Sequence, residues 1–157
     1  MWQKLKPYVI SVAFSLGIGG LSALITADNM DLYSRINQPL LAPPSWLFPV
    51  VWTVLFILMG ISSAMIWQER GENRRKVDVA LSVYALNLFL NFFWSIIFFN
   101  MEAFLVAFIW LVALWVVILI MTIQFIRIKP VAGYLQIPYL LWVTFAGYLT
   151  LAIYILN

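Results

Sequence analysis

The chain has 157 residues, of which 65% are apolar, 17% aromatic and only 10% charged, with a net charge of +3. A soluble domain has about 45–50% apolar and about 25% charged residues, so a globule in water is excluded and the composition fits a lipid solvent. There is no cysteine and no histidine, which excludes disulfides, Cys/His zinc sites, Cys or Ser-His nucleophile systems and a histidine-ligated haem. The basic residues are split among loops with no patch or stripe, so no nucleic-acid partner is expected.

A membrane-spanning helix needs about 20 apolar residues. Five segments qualify, roughly Tyr8–Ala27, Trp46–Trp67, Val77–Phe99, Ala103–Ile126 and Gly133–Leu156. Unpaired backbone is costly in lipid, and no period-2 alternation suggests a barrel. The expected fold is therefore all-α: one domain over residues 1–157, an integral membrane bundle of five antiparallel helices. Lys4 and Lys6 precede the first span, Arg70, Arg74, Arg75 and Lys76 follow the second, and Arg127 and Lys129 follow the fourth. Eight basic residues thus fall on one side and only Arg35 on the other. In a bacterial cell membrane the positive-inside rule makes the N-terminus cytoplasmic and the C-terminus external.

In chain order, Trp2–Pro7 and the apolar run after it read as a retained first helix rather than a cleaved signal. That helix carries Gly17, Gly19, Gly20, Ser22 and Ala23. Small residues allow close helix approach in lipid, either inside the bundle or across a homodimer face. The connection Asp28–Ser45 is long, and Leu32, Ile36, Leu40 and Leu41 give it an apolar face, so it should be an ordered loop folded over one mouth of the bundle. Arg35 is expected to pair with Asp28 or Asp31 or to sit in water; a ligand carboxylate is the alternative.

Pro39, Pro43 and Pro44 make the run into the second span extended. Ser45 stands where an N-cap belongs, and Pro49 falls in the first turn, where its missing N–H is not needed. Trp52 and Phe56 share one face of that span, with Ser63 at +11. On the third span Asn87, Asn91, Trp94 and Phe98 share a face. An amide in hydrocarbon needs a partner, so this face looks inward, either for interhelical hydrogen bonding or as a polar handle in an apolar cavity. Asp78 opens the span, where a carboxylate suits the positive helix end. Trp110 and Trp115 on the fourth span read as packing or lipid-facing. Trp2, Trp46 and Trp67 lie near helix ends and suit an interfacial belt. On the fifth span Tyr139, Trp142, Ala146 and Leu149 share a face, and Pro138 is expected to kink or break the helix and free a carbonyl near Gly133–Tyr134. Such aromatic faces serve either packing or a pocket for a rigid planar ligand.

Several ordered motifs carry a family resemblance: Tyr33, Pro39, Pro43-Pro44-x-Trp46, Phe48-Pro49-x-x-Trp52-Thr53, Met59-Gly60, Asn91-x-x-Trp94 with Phe98-Phe99, and Pro138-Tyr139-x-x-Trp142 with Phe145-Ala146 and Leu149. Together they resemble the TspO/MBR family, also called the translocator protein or tryptophan-rich sensory protein family, over nearly the whole chain. The resemblance implies a ligand site formed by Tyr33, Trp52, Phe56, Asn91, Trp94, Trp142, Ala146 and Leu149. It implies binding of porphyrins (protoporphyrin IX and haem-type tetrapyrroles) and other planar hydrophobic ligands, with a sensory or transport role. No cofactor is expected to be required; the porphyrin enters as ligand. A further implied activity is light- and oxygen-dependent porphyrin breakdown, with Trp52 and Trp142 as the oxidisable, catalytic positions. Passive transport of hydrophobic molecules is a third reading.

The chain departs from the family pattern in the loop, with Leu32-Tyr33 where many members have Trp-Tyr, and Gln38-Pro39-Leu40-Leu41 where many have Lys-Pro-x-Trp. It also lacks a basic residue after Tyr148 or Tyr154, so the cholesterol motif of animal members is incomplete and cholesterol is not an expected ligand.

Overall fold

In lipid the backbone must satisfy its own hydrogen bonds, and every apolar segment here is helical. The computed structural model describes residues 1–157. Helix α1 spans Trp2–Thr26, α2 is a short turn of helix at Leu32–Arg35, α3 spans Leu47–Gln68, α4 Arg70–Ser95 and α5 Phe104–Ile128. The fifth span is divided into α6, Pro130–Tyr134, and α7, Ile137–Leu156. There are five spans long and apolar enough to cross a membrane, as expected, and no strand.

The helix ends differ from expectation where water replaces lipid. α1 starts at Trp2 with Pro7 inside it. α4 starts at Arg70, not Val77, with one non-helical residue at Asn73 (φ −140°, ψ 56°). Asp78 is therefore not at a helix N-terminus; its carboxylate instead pairs with Arg70 at 2.8 Å and faces Arg74 at 3.8 Å. Ser45 is not the N-cap of α3, since Trp46 holds that position without a side-chain cap and Pro44 carbonyl accepts from Leu47 N–H at 3.0 Å. Pro49 does lie in the first turn. The break before Pro138 falls at Leu135–Gln136. The Gly133 carbonyl is not freed by it, because Gln136 N–H turns back to it at 3.0 Å, while Pro138 has no N–H to give the Tyr134 carbonyl four residues earlier.

α1 packs on α3 and α4, α4 on α5, and α7 along α5. Close approach is written into small residues. A Cβ on Gly60 would sit 2.5 Å from the Val12 Cα. Ser15 donates to the Phe56 carbonyl at 2.7 Å and Ser22 to the Phe92 carbonyl at 3.3 Å. Trp110 and Trp115 tie α5 to its neighbours, donating to the Leu90 carbonyl at 2.7 Å and to Thr144 Oγ1 at 2.8 Å.

At the basic end Tyr8 meets Gln68 and Lys129 pairs with Glu69 at 2.8 Å. That hydrogen bond to Glu69 raises the Lys129 pKa. At the opposite end the α1–α3 connection forms a lid. Its ties are Arg35 to Asp31 at 3.0 Å and to Glu102 at 3.9 Å, Asn29 to Asn100 at 2.9 Å, and Tyr148 hydroxyl to the Leu40 carbonyl at 2.6 Å. Asn37 and Asn157 clasp each other: Asn37 N–H donates to Asn157 Oδ1 at 2.9 Å, and Asn157 Nδ2 to the Asn37 carbonyl at 3.1 Å. Leu32 and Tyr33 are buried, but Leu40 and Leu41 are 81% and 74% exposed, contrary to the expected apolar underside. The chain reverses there, with Leu41 in the left-handed region at φ 67°, and both side chains point away from the bundle.

Candidate ligand-binding site

Beneath the lid α1, α3, α4 and α7 enclose a cavity of about 450 Å³. α7 stands along α5 and is bridged to α3 and α4 by side chains, which is what opens the space. Tyr33 comes from the lid, Trp52 and Phe56 from α3, Asn91 and Trp94 from α4, and Trp142, Ala146 and Leu149 from α7; all eight line the one cavity. No residue of α5 does. The lining carries no charged side chain, and Arg35 is absent from it, its guanidinium held at the surface by Asp31.

The floor is a hydrogen-bond chain. Asn91 Nδ2 donates to the Tyr139 hydroxyl at 2.8 Å, and that hydroxyl donates to Asn87 Oδ1 at 2.6 Å. Asn87 is fully buried and purely interhelical, whereas Asn91 both joins the chain and lines the cavity. Tyr139, grouped by spacing with Trp142 and Ala146, lies below the cavity rather than on its wall, with its ring edge-on to Trp52 at 6.1 Å. Trp94 and Trp142 line the wall, and their indole N–H groups pair with no protein acceptor. Tyr33 packs edge-on against Phe48 at 5.1 Å, and Phe48 against Trp142 at 6.0 Å. The Tyr33 hydroxyl donates to the Pro43 carbonyl at 2.8 Å, and burial raises its pKa.

Sequence reasoning left several walls unassigned. Gly19, Ser22, Ala23 and Thr26 of α1 line the cavity; their small size was the signal. Gly17 and Gly20 instead face outward, with open space where a side chain would begin. Thr150 and Ile153 continue the Ala146 face by helical spacing. Phe98, expected on the inward face of Asn91 and Trp94, and Phe99 reach the wall through a π-helical turn at Ile96–Asn100 that no sequence pattern announced. Exposed lining residues Ala23, Met30, Ser45 and Pro49 mark the mouth, between the lid end of α1 and the start of α3. Such a site suits a flat apolar molecule with one or two polar groups.

The family model for the TspO/MBR family matches residues 9–156. The chain is 40% identical to the tryptophan-rich protein TspO of Chlorobaculum tepidum, over 100% of this chain and 99% of that protein. It is 35% identical to the tryptophan-rich protein TspO of Archaeoglobus fulgidus, over 95% of each. It is also 30% identical to the translocator protein of Sus scrofa, over 94% of this chain and 90% of that one. The motifs, the five-span bundle and these likenesses agree, and the chain is an integral membrane protein belonging to the TspO/MBR family.

Proposed function

We propose that this protein binds porphyrins and related planar hydrophobic molecules in the cavity beneath the lid, as a sensory or transport component of the membrane. The observation that carries the reading is the set of three indoles, Trp52, Trp94 and Trp142, brought from three helices to one uncharged cavity. Its volume of about 450 Å³ falls within the roughly 300–1,000 Å³ of small-molecule sites. The Asn91 amide supplies a polar contact at the cavity wall. With no histidine or cysteine in the chain, stacking carries the affinity, and free-base porphyrin binds at least as well as haem.

The test is a titration of purified protein with protoporphyrin IX in the dark, following tryptophan quenching. Saturable binding, micromolar or tighter, that is lost in Trp142→Ala with Asn91→Ala supports the reading. Unsaturable quenching equal in both proteins means partition into the apolar phase and defeats it.

A second reading rests on Trp52 and Trp142 lining the same cavity from α3 and α7: light- and oxygen-dependent porphyrin breakdown, with the porphyrin as sensitiser and these indoles as oxidisable partners. A new product under illumination, abolished by Trp52→Phe with Trp142→Phe while dark binding persists, supports it; unchanged turnover in that variant defeats it. For transport, an uncharged lining fits passive movement, so ligand flux in liposomes should ignore ion gradients. The homodimer reading narrows to the outward Gly17–Gly20 face, and crosslinking of Gly17→Cys in membranes tests it.

A further inference from the structure

A second concavity lies outside the bundle, at its basic end. It is an open groove of about 700 Å³ along the lipid-facing side of α4. Its head is formed by Arg74, Arg75 and Asp78, and its tail by Val79, Val83 and Leu86. The head is net cationic. The Asp78 carboxylate is already engaged by Arg70 at 2.8 Å and 3.3 Å, Arg74 stands 3.8 Å from it, and Arg75 meets no carboxylate. Ser82 is turned back to the Asp78 carbonyl at 2.8 Å. The tail is apolar and open, with Val79 and Leu86 about half exposed. Arg75 to Leu86 is eleven residues, about 16 Å of helix, close to half of the roughly 30 Å hydrocarbon core. The groove therefore runs from headgroup level to near the bilayer midplane.

We propose that this groove is a binding site for an anionic phospholipid, with the phosphate on Arg74 and Arg75 and an acyl chain along Val79, Val83 and Leu86. A soluble anion would satisfy only the head and a neutral lipid only the tail; the charge and the depth are met together by an anionic lipid. The site is independent of the cavity beneath the lid.

The experiment counts lipids retained by the detergent-purified chain in native mass spectrometry, using phosphatidylglycerol and phosphatidylcholine of matched acyl chains. The wild type is expected to retain phosphatidylglycerol preferentially. Arg74→Gln with Arg75→Gln should reduce that preference roughly thirtyfold, from about fivefold for each arginine near an anionic headgroup. Lys4→Gln with Lys6→Gln, an equal charge change at the same end, should leave most of it. Equal losses in the two variants, or no preference in the wild type, overturn the proposal in favour of diffuse attraction. Displacement by glycerol 3-phosphate at the same molar concentration overturns it in favour of a soluble phosphate site. Helicity by circular dichroism checks each variant, and Arg75→Gln alone replaces the pair if the pair is misfolded.

Discussion

Tyr139 holds the floor of the cavity by accepting from Asn91 and donating to Asn87. Tyr139→Phe leaves two amide groups short of a partner inside the bundle, and a buried group so stranded costs about 1–3 kcal/mol. Unfolding in a denaturing detergent titration should show a loss of about 1–2 kcal/mol, and no loss would mean the chain is not a structural tie. Ala146 makes the opposite case. It is small and lines the cavity, so Ala146→Leu fills space that is empty of protein. Porphyrin affinity should fall about tenfold or more, from about 1–3 kcal/mol of overpacking against a rigid ligand, while stability measured without ligand stays level. Spacing put Asn91, Trp94 and Trp142 on shared faces that packing or a pocket would equally explain, and only the family resemblance assigned them to a site. The burial of Tyr139 below the wall was not legible, since spacing fixes a face but not the depth at which a neighbouring helix covers it.

The contact of α1 with α3 rests on two glycines whose surroundings differ. A Cβ on Gly60 meets Val12 backbone, whereas one on Gly19 meets the ring of Phe56, which can turn. Gly60→Ala should therefore destabilise the bundle by about 1–3 kcal/mol in the same titration. Gly19→Ala should cost less stability but more ligand affinity, because Phe56 is driven into the cavity; the reverse ranking would contradict this packing. The lid supplies a pH dependence. The Tyr33 pKa is raised above 10.0 by burial, so the neutral hydroxyl is the form the fold prefers. Its contribution is fully present below the unfolded value and is lost as pH rises through the raised folded value. Ligand release measured by stopped-flow should accelerate above about pH 10 in the wild type, and that step should vanish in Tyr33→Phe. Element positions were legible wherever lipid dictates them. They failed where water does: Arg70–Lys76 is helical apart from the kink at Asn73, because exposed charges tolerate helix, and the Leu40–Leu41 reversal is set by the backbone, not by hydrophobicity.

At the scale of the molecule, eight of nine basic residues cluster at one end of the bundle and the lid occupies the other. The positive-inside rule sets the expectation, for a bacterial cell membrane, that the basic end is cytoplasmic. Alkaline phosphatase fused after Asn157 should be active and a fluorescent protein fused there dark; the opposite pattern would invert the topology. The number and antiparallel order of the spans could be read from hydropathy and loop charge together. The cavity could not, because it arises from α7 standing off α3 and α4, a property of three helices that no single one records. The Asn37–Asn157 clasp adds a matter of timing. Its two halves lie 120 positions apart, and at about 5–20 residues per second of synthesis the first waits roughly 6–24 s for the second. During that interval the lid lacks its ties to α7, at Asn157 and Tyr148, and α7 has not supplied its wall. The cavity is thus completed only when α7, the element that closes it, is in place.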